Sequence, residues 1–284
     1  MSLRGAEVAG PGTASRPTPR YVRWAAEGWR GWLDATAQVD PAACLRAAES
    51  EARRTSRHAR TMRLPTSAGV LFVKSYPAPG GWRATRAFRM GRELVARGFG
   101  APQVVIAAVR GRAGLLVTRD AGGEDLASAL ARRSVMRAGK RALLRSLGAE
   151  VARLHRAGFV HGDLVPPNVR VRGTELVFLD NDRTRRARLL VWLVGRRNLV
   201  QLGRFVVAGV TATDRARVLA AYGTGRGLSR SGRHRLARWL VRKTIARRCA
   251  IDHITPATAA RIGFRELMRS GGPFDPASAG SGPA

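Results

Sequence analysis

The stretch VHGDLVPPNVRV, residues 160–171, places a histidine, an aspartate and an asparagine at close spacing between apolar residues. The three polar residues are His161, Asp163 and Asn168. In a chain rich in arginine, a lone carboxylate and an uncharged amide beside an apolar strand have no evident structural task. Apolar strands on both sides would hold such a loop in a fixed position. The stretch therefore predicts a rigid loop that positions reactive groups.

A second apolar run, ELVFLD at residues 175–180, follows this loop and ends on Asp180. Together with NVRV before it, this run predicts two short strands around a turn. Asn168 and Asp180 then offer two oxygen ligands across the strand pair. Mg²⁺ takes one or two protein oxygens and completes its shell with water and phosphate. A hydroxyl that attacks phosphorus needs a carboxylate such as Asp163 to accept its proton, so the pattern predicts phosphoryl transfer with magnesium.

The chain upstream of the loop changes character once. GVLFVKSY, residues 69–76, predicts a strand that carries Lys74, and residues 81–98 predict a helix that carries Glu93 and ends at a glycine. Two further apolar runs predict strands before the turn-like DAGGED, residues 120–125, after which the periodicity is mainly helical. The sequence thus predicts an α+β fold, with a small β-rich lobe followed by a helical lobe.

Composition divides the chain into four parts. Residues 1–20 and 271–284 are rich in Gly, Pro, Ser, Ala or Thr without apolar periodicity, and we expect disordered tails there. Between the tails we predict an N-terminal helix and the N-lobe at residues 21–118. The C-lobe is predicted at residues 119–270.

Five polar positions resemble the protein-kinase-like fold in order and spacing. They are Lys74, Glu93, Asp163, Asn168 and Asp180. The resemblance covers roughly residues 45–250. It implies that the fold has two lobes and that Lys74, Glu93 and Asn168 form the ATP site, with Glu93 paired to Lys74. It implies further that Asp163 is the catalytic base and that Asn168 and Asp180 hold Mg²⁺.

Each of these residues also has a purely structural interpretation when it is taken alone. Lys74 would then be a solvated lysine of an edge strand, and Glu93 an ordinary carboxylate on a helix surface. His161 is expected to hold the loop by hydrogen bonds rather than to act as a base. Asp182, in the sequence DND, either helps the metal site or caps a turn, and the sequence leaves both interpretations open.

Three departures from protein kinases bear on mechanism and regulation. No G-x-G-x-x-G precedes Lys74, so backbone or arginine groups would have to cover the nucleotide phosphates there. Gly162 stands where protein kinases carry an arginine that binds a phosphorylated loop, and no A-P-E follows Asp180. Regulation by loop phosphorylation is therefore not expected. Val165 stands where Ser/Thr kinases carry a lysine, so transfer would rely on the metal and on other cations.

The His-Gly-Asp form of the loop is similar to the small-molecule branch of this superfamily. Past Asp180, LDNDRT and RRNLVQLGRF resemble the lipopolysaccharide core kinases that act on Kdo (3-deoxy-manno-octulosonic acid) or heptose. The matching residues of the second motif are Asn198, Leu199, Leu202 and Arg204. This resemblance implies a Mg-ATP-dependent kinase of a sugar hydroxyl in the lipopolysaccharide inner core, or in a similar anionic glycolipid. The alternative acceptor is a small molecule of the aminoglycoside or choline type, or a Ser or Thr side chain of a protein.

The charge of the chain agrees with an anionic acceptor. The formal net charge is +32, from 51 Lys and Arg against 19 Asp and Glu. Such a field repels cationic aminoglycosides and choline and attracts polyanions such as lipid A and its inner core. A general arginine bias in the coding sequence is the competing explanation. A basic nucleic-acid-binding protein would also explain the charge, but no helix-turn-helix or zinc spacing is present, so no nucleic-acid partner is expected. A kinase-like scaffold without activity is a further alternative, and the complete set of five polar residues argues against it.

Location follows from what the sequence lacks. No apolar signal-peptide core is visible near the N-terminus, and two distant cysteines do not form a disulfide framework, so we expect a cytoplasmic protein. The most apolar long segment, residues 189–210, is interrupted by Arg196, Arg197 and Arg204. Its uninterrupted apolar runs are too short to span a bilayer. We expect these arginines instead to hold the protein to the inner face of the cytoplasmic membrane.

Overall fold

The computed structural model describes residues 18–52, 59–133, 137–187, 191–252 and 254–269. The N-lobe contains one six-stranded antiparallel sheet with the strand order β1-β2-β5-β6-β4-β3. Its strands are β1 (Tyr21–Ala26), β2 (Trp29–Asp34), β3 (Arg60–Thr66), β4 (Gly69–Tyr76), β5 (Val104–Arg110) and β6 (Ala113–Arg119), and its helices are α1 (Pro41–Ala52) and α2 (Gly81–Ala96).

The N-lobe begins with a β-hairpin, which differs from the helix predicted at the start of residues 21–118. Strands β1 and β2 are joined by Glu27 and Gly28, whose φ angles of 51° and 77° give the two-residue turn that suits twisted hairpins. Aromatic residues such as Trp24 and Trp32 favour strand pairing on both sides of the turn. β2 then pairs with β5, so the hairpin extends the sheet, and the first helix is α1.

One helix covers each face of the N-lobe sheet. Leu45 of α1 packs with Ile106 and Leu115 on one face, and Phe88 of α2 packs with Leu116 on the other. The alternation of adjacent strand residues between the two faces produces these two clusters. α2 begins directly against β6, because a Cβ at position 81 would lie 2.6 Å from the Ala113 carbonyl oxygen. This close approach fixes where the first turn of α2 lies.

The C-lobe is mainly helical, as predicted. Its short strands are β7 (Glu124–Asp125), β8 (Phe159–Val160), β9 (Val169–Arg172), β10 (Glu175–Phe178) and β11 (Arg185–Arg186). Its helices are α3 (Leu126–Arg132), α4 (Arg137–Arg156), α5 (Val191–Gly203), α6 (Ala212–Gly225), α7 (Arg230–Asp252) and α8 (Pro256–Leu267). Among the helices that the structure describes, none has the length and apolar character needed to cross a membrane.

The predicted strand pair after the HGD loop is present. β9 and β10 pair in antiparallel register around Gly173, and β7 adds a third strand. Phe178 of β10 packs with Leu154 of α4 and with Leu164 of the loop in the main C-lobe core. The loop is therefore held between a long helix and a small sheet. The predicted tails fall mainly on residues 1–17 and 270–284, which lie outside the described residues.

Candidate active site

A cleft between the two lobes contains three of the five predicted site residues. Its volume is about 340 Å³, and Lys74, Asn168 and Asp180 line it. Apolar side chains, among them Leu116 and Leu179, form its walls. The cleft thus combines an apolar slot with a small polar group of the type that orients a bound ligand.

His161 holds the HGD loop from inside, in agreement with its expected structural role. Its side chain is buried, and its Nδ1 accepts the backbone N–H of Asp163 at 3.2 Å. Because Nδ1 is an acceptor, Nε2 carries the proton, and it donates to the Leu179 carbonyl oxygen at 2.7 Å. Burial lowers the pKa of His161, which keeps the ring neutral. One neutral ring thus fixes the loop to the strand end that precedes Asp180.

Asp163 and Asn168 are placed by bonds within the loop. The Asn168 amide nitrogen donates to the Asp163 carbonyl oxygen at 3.0 Å, which leaves the amide oxygen available as a ligand. The Asp163 carboxylate is partly exposed and lies 3.4 Å from the side-chain nitrogen of Gln201. Arg204 is also near: partial burial and Arg247 lower the pKa of Arg204, and the Asp163 carboxylate opposes that change. Asp163 is therefore an accessible carboxylate beside an amide, and it interacts electrostatically with one guanidinium group.

Helix α5 supports the loop through an asparagine and a glutamine. The Asn198 side-chain oxygen accepts the backbone N–H of His161 at 3.1 Å, and its nitrogen donates to the His161 carbonyl oxygen at 2.5 Å. Gln201 accepts from the Leu164 N–H at 3.3 Å and donates to the Gly162 carbonyl oxygen at 3.1 Å. Sequence reasoning found Asn198 but missed Gln201. The signal was present, because residues three apart on a helix share a face.

A second histidine extends this support into the C-lobe core. His155 is fully buried, its Nε2 donates to the Asn198 side-chain oxygen at 3.1 Å, and its Nδ1 accepts from the Tyr222 hydroxyl at 3.0 Å. Burial lowers the pKa of His155 to about 4. A neutral imidazole therefore connects α6, α4 and α5 to the HGD loop.

Lys74 bridges two carboxylates of the C-lobe. Its ammonium group bonds Asp180 and lies 3.4 Å from Asp182. Asp180 has φ 54° and ψ 55°, a left-handed conformation that is costly for a residue with a side chain and that occurs most often at functional sites. The side chains of Lys74 and Asp180 are 17% and 31% exposed, so this pair remains accessible from the cleft.

Asp182 is an anchor for cations of the N-lobe. Its side chain is 1% exposed, and Arg83 of α2 lies 2.6 Å from it. Burial and the carboxylates of Asp182 and Asp180 raise the pKa of the neighbouring Tyr76. The carboxylate thus joins Lys74 and Arg83 across the lobe boundary, a contact that the sequence did not predict.

The predicted Lys74–Glu93 ion pair is wrong. Glu93 lies 3.5 Å from Arg186 of β11 and is 41% exposed. Arg83, Arg86 and Glu93 lie on one face of α2, and this face runs along residues 182–186. In order along the helix, they contact Asp182, Thr184 and Arg186. Glu93 therefore lies at the end of this face that is distant from Lys74. Arg83 lies at the other end and contacts Asp182, as Lys74 does.

Gly162 is required by close packing. A Cβ at this position would lie 2.0 Å from the Arg183 Cβ and 2.6 Å from its carbonyl carbon. The segment after Asp180 thus passes directly over the loop and leaves no space for a side chain at position 162. β11 continues this segment and pairs with β8.

A second pocket adjoins the HGD loop on the side of Gly162 and Gln201. We call it the arginine pocket; its volume is about 280 Å³ and none of its lining residues is acidic. Its four arginines are Arg86, Arg183, Arg185 and Arg197. Arg86 is fixed by a bond from its Nε to the Thr184 carbonyl oxygen at 3.1 Å. The pocket offers guanidinium groups, and one of its lining residues, Gln201, lies 3.4 Å from the carboxylate of Asp163.

The donor set of the cleft fits a magnesium ion. Asn168 and Asp180 present an amide oxygen and a carboxylate to the same cleft, which are hard oxygen ligands of the type that Mg²⁺ prefers. Among the described residues, no group of three or more His, Cys, Asp or Glu side chains forms a metal cage. The donors thus suit an ion that keeps water or phosphate in most of its shell.

Comparison with known proteins supports the same interpretation. The family model described as lipopolysaccharide kinase (Kdo/WaaP) family matches residues 36–222, more than half of the chain. Among curated proteins, no relative was found to match. A solved structure described as WaaP in complex with acyl carrier protein has a TM-score of 0.55 and 22% identity, over 70% of this chain and 91% of that one. An aminoglycoside-3'-phosphotransferase of type VIII has a TM-score of 0.42 and 18% identity, over 69% of this chain and 97% of that one.

The likeness to the WaaP structure confirms the predicted kinase-like fold with a β-rich N-lobe and a helical C-lobe. The family match covers the segment that contains Lys74, the HGD loop and α5. The chain therefore belongs to the lipopolysaccharide kinase (Kdo/WaaP) family.

Proposed function

We propose that the protein transfers the γ-phosphoryl group of Mg-ATP to a sugar hydroxyl of the lipopolysaccharide inner core, on Kdo or heptose, or of a similar anionic glycolipid. Membership of a kinase family supports the reaction class. The observation that carries the proposal is the convergence of Lys74, Asn168 and Asp180 in one cleft with Asp163 on the adjoining loop. These are the groups that phosphoryl transfer needs.

The cleft is the proposed nucleotide site. Its apolar walls suit the adenine base, and Lys74 at its polar end supplies a positive charge for the phosphates. Asn168 and Asp180 would hold the magnesium ion, which supplies charge neutralisation at the phosphate oxygens when it is bound. Asp182 and Arg83 keep Lys74 in position, since the three side chains are joined by ion pairs.

Asp163 is the proposed general base. Its carboxylate would accept the proton of the attacking hydroxyl, and the oxygen would then bond the γ-phosphorus as the bond to the ADP oxygen breaks. The Asn168 amide and the His161 ring hold the loop backbone on both sides of Asp163. A base with fixed neighbours keeps its position when the acceptor binds.

The arginine pocket supports an anionic acceptor. A carboxylate or phosphate of the glycolipid can accept hydrogen bonds from Arg183, Arg185 or Arg197, which are exposed around the pocket. Gln201 lines the same pocket and lies 3.4 Å from Asp163. An anionic group bound there would bring a neighbouring sugar hydroxyl towards the base. Cationic acceptors, in contrast, would be repelled by the same guanidinium groups.

We also propose that the protein acts in the cytoplasm, at the inner face of the cytoplasmic membrane. The acceptor is a lipid-anchored polyanion in this proposal, and the net charge of +32 favours an anionic surface. No nucleic-acid partner is proposed.

Mass spectrometry of lipid A-core material tests the function. Material from cells with the protein should carry additional phosphate compared with material from cells that lack it, and fragment ions should locate the phosphate on Kdo or heptose. Complementation with Asp163→Asn is the matched control and should not restore the phosphate. Identical masses in all three samples would refute the proposed acceptor, and restoration by the variant would refute the proposed base.

A further inference from the structure

A large basic groove lies on the C-lobe away from the cleft. It is formed by α5, the end of α6 and α7, and its volume is about 670 Å³. It shares no lining residue with the nucleotide cleft or the arginine pocket. Its five arginines are Arg196, Arg226, Arg235, Arg238 and Arg242.

The charge of this groove is not compensated within the described part of the chain. None of its lining residues is acidic, and none of the five guanidinium groups forms an ion pair there. Arg235, Arg238 and Arg242 follow one another at three and four residues along α7, so they lie on one face and repel each other. A bound anion would remove this repulsion. The arrangement therefore stabilises a complex with an anion more than the free helix.

One guanidinium group is held in place by aromatic rings. Arg196 lies between the rings of Trp192 and Trp239, at 4.6 Å and 5.1 Å from their centroids. Its Nε is buried and has no hydrogen-bond partner among the described residues. A positioned arginine loses less freedom on binding, so it favours a ligand with phosphate oxygens.

Exposed apolar side chains border the groove. Trp192 is 56% exposed and the adjacent Leu193 is 44% exposed. Tryptophan next to arginine is typical of protein surfaces that lie in the membrane interface, where the indole enters the headgroup region and the cation contacts phosphate. Nucleic acid is highly charged and has no apolar layer into which Leu193 could insert. The apolar border thus favours a lipid surface over nucleic acid.

The arginines that the sequence predicts to form one membrane contact do not lie on one surface. Arg196 lies in this groove, Arg197 lines the arginine pocket, and Arg204 interacts electrostatically with Arg247 and Asp163. The three arginines that the sequence suggests as a joint membrane contact therefore serve three different environments. Only Arg196 belongs to the basic groove.

We propose that the basic groove is a binding site for the phosphate groups of anionic lipid headgroups, with Trp192 and Leu193 in the bilayer interface. This inference deepens the proposed action at a membrane, but its test needs no catalysis. Binding to vesicles of phosphatidylcholine with phosphatidylglycerol is compared with binding to phosphatidylcholine alone, by sedimentation across a salt series. Soluble inorganic phosphate and a DNA duplex are added as competitors in separate arms.

The variant Arg235→Gln/Arg238→Gln/Arg242→Gln removes three charges from the groove. Binding to anionic vesicles should weaken about a hundredfold, since each basic residue at an anionic surface contributes about fivefold. The matched control is Arg30→Gln/Arg63→Gln/Arg112→Gln, which removes three exposed arginines from the N-lobe and should retain most of the binding. Trp192→Ser should weaken binding severalfold without changing its salt dependence, because the indole contributes no charge.

Equal losses in both triple variants would overturn the site, because the net charge alone would then explain the binding. Full competition by DNA, with only weak binding to vesicles, would assign the groove to nucleic acid instead. Full competition by millimolar phosphate would point to a soluble phosphate compound. The Mg-ATP shift in melting temperature is measured on every variant as a folding control. If the wild-type protein binds anionic vesicles but shows no such shift, the proposed kinase function fails while the lipid site stands.

Discussion

Arg83 and Asp182 form an ion pair of 2.6 Å between the first turn of α2 and the segment after Asp180. The Asp182 side chain is 1% exposed, and Lys74 is its only other ion-pair partner among the described residues. The pair therefore joins the N-lobe to the C-lobe beside Lys74, the residue that is proposed to contact ATP. Arg83 precedes Asp182 by 99 residues in the sequence and belongs to none of the kinase-like motifs, so the orientation of Lys74 depends on a contact that forms only when the two lobes pack together.

We expect Arg83→Leu to destabilise the protein by about 3 kcal/mol, because it leaves a buried carboxylate with one partner. Lys74 should then be drawn towards Asp182, and affinity for Mg-ATP should fall. Urea unfolding and isothermal titration measure the two effects. Arg89→Leu, an exposed residue on the same helix, is the control and should change the free energy of unfolding by less than about 0.5 kcal/mol.

Lys74→Met should abolish most of the increase in melting temperature that Mg-ATP causes, since a ligand that binds only the folded state stabilises it by mass action. Glu93→Gln should retain most of that increase, because Glu93 bonds Arg186 and not Lys74. A thermal shift assay compares the two variants. Loss of the shift in Glu93→Gln would mean that Glu93 moves to Lys74 when the nucleotide binds.

The two aspartates of the site should separate binding from transfer. Asp163→Asn is expected to keep Mg-ATP binding and to lose transfer, whereas Asp180→Asn should also weaken metal-dependent nucleotide binding. Titration with Mg-ATP and a phosphotransfer assay, run on both variants, give the comparison. Full turnover by Asp163→Asn would assign the base to another residue.

Arg197→Gln should raise the KM for an anionic acceptor about tenfold and leave the KM for ATP unchanged, because a hydrogen bond to a charged group contributes about 1.5 kcal/mol or more. Arg30→Gln, on the N-lobe surface, is the control with the same loss of charge. Steady-state kinetics with each substrate varied in turn provide the measurement. Equal KM values for the acceptor would show that the arginine pocket does not hold it.

The free energy of unfolding should fall as pH drops from about 6.5 to about 4. Burial lowers the pKa of His155 in the folded state to about 4, so in this range the unfolded chain binds more protons than the folded one. The difference of about 2.5 pH units corresponds to roughly 3 kcal/mol. Urea unfolding across this range should show a smaller slope for His155→Gln than for the wild type. An unchanged slope would mean that His155 is not the group responsible.

The local parts of the fold are predictable from the sequence. The strands β4, β9 and β10 and the helix α2 each follow from the periodicity and turn residues of a short segment. The loop residues His161 and Asn168 also keep their expected positions, because neighbouring residues within the loop hold them.

The pairings across long distances in sequence are less predictable. The residue of α2 that reaches the Lys74 cluster depends on how the helix is rotated about its axis, and the close contact of Gly81 with β6 sets where the helix begins. A spacing of 19 residues between Lys74 and Glu93 does not contain this information. The support from Gln201 and the pair Arg83–Asp182 likewise arise only when separate segments fold against each other.

The contact between Gly162 and Arg183 leaves this enzyme without the space that protein kinases use for phosphate-dependent control. Replacing the glycine by arginine would displace the backbone that follows Asp180, so a regulatory switch of that type is not accessible by one mutation. The HGD loop and the segment after Asp180 are thus held together by direct packing. Under the proposed function, the rate in the cell would depend on how much of the glycolipid acceptor is within reach, and not on a signalling kinase.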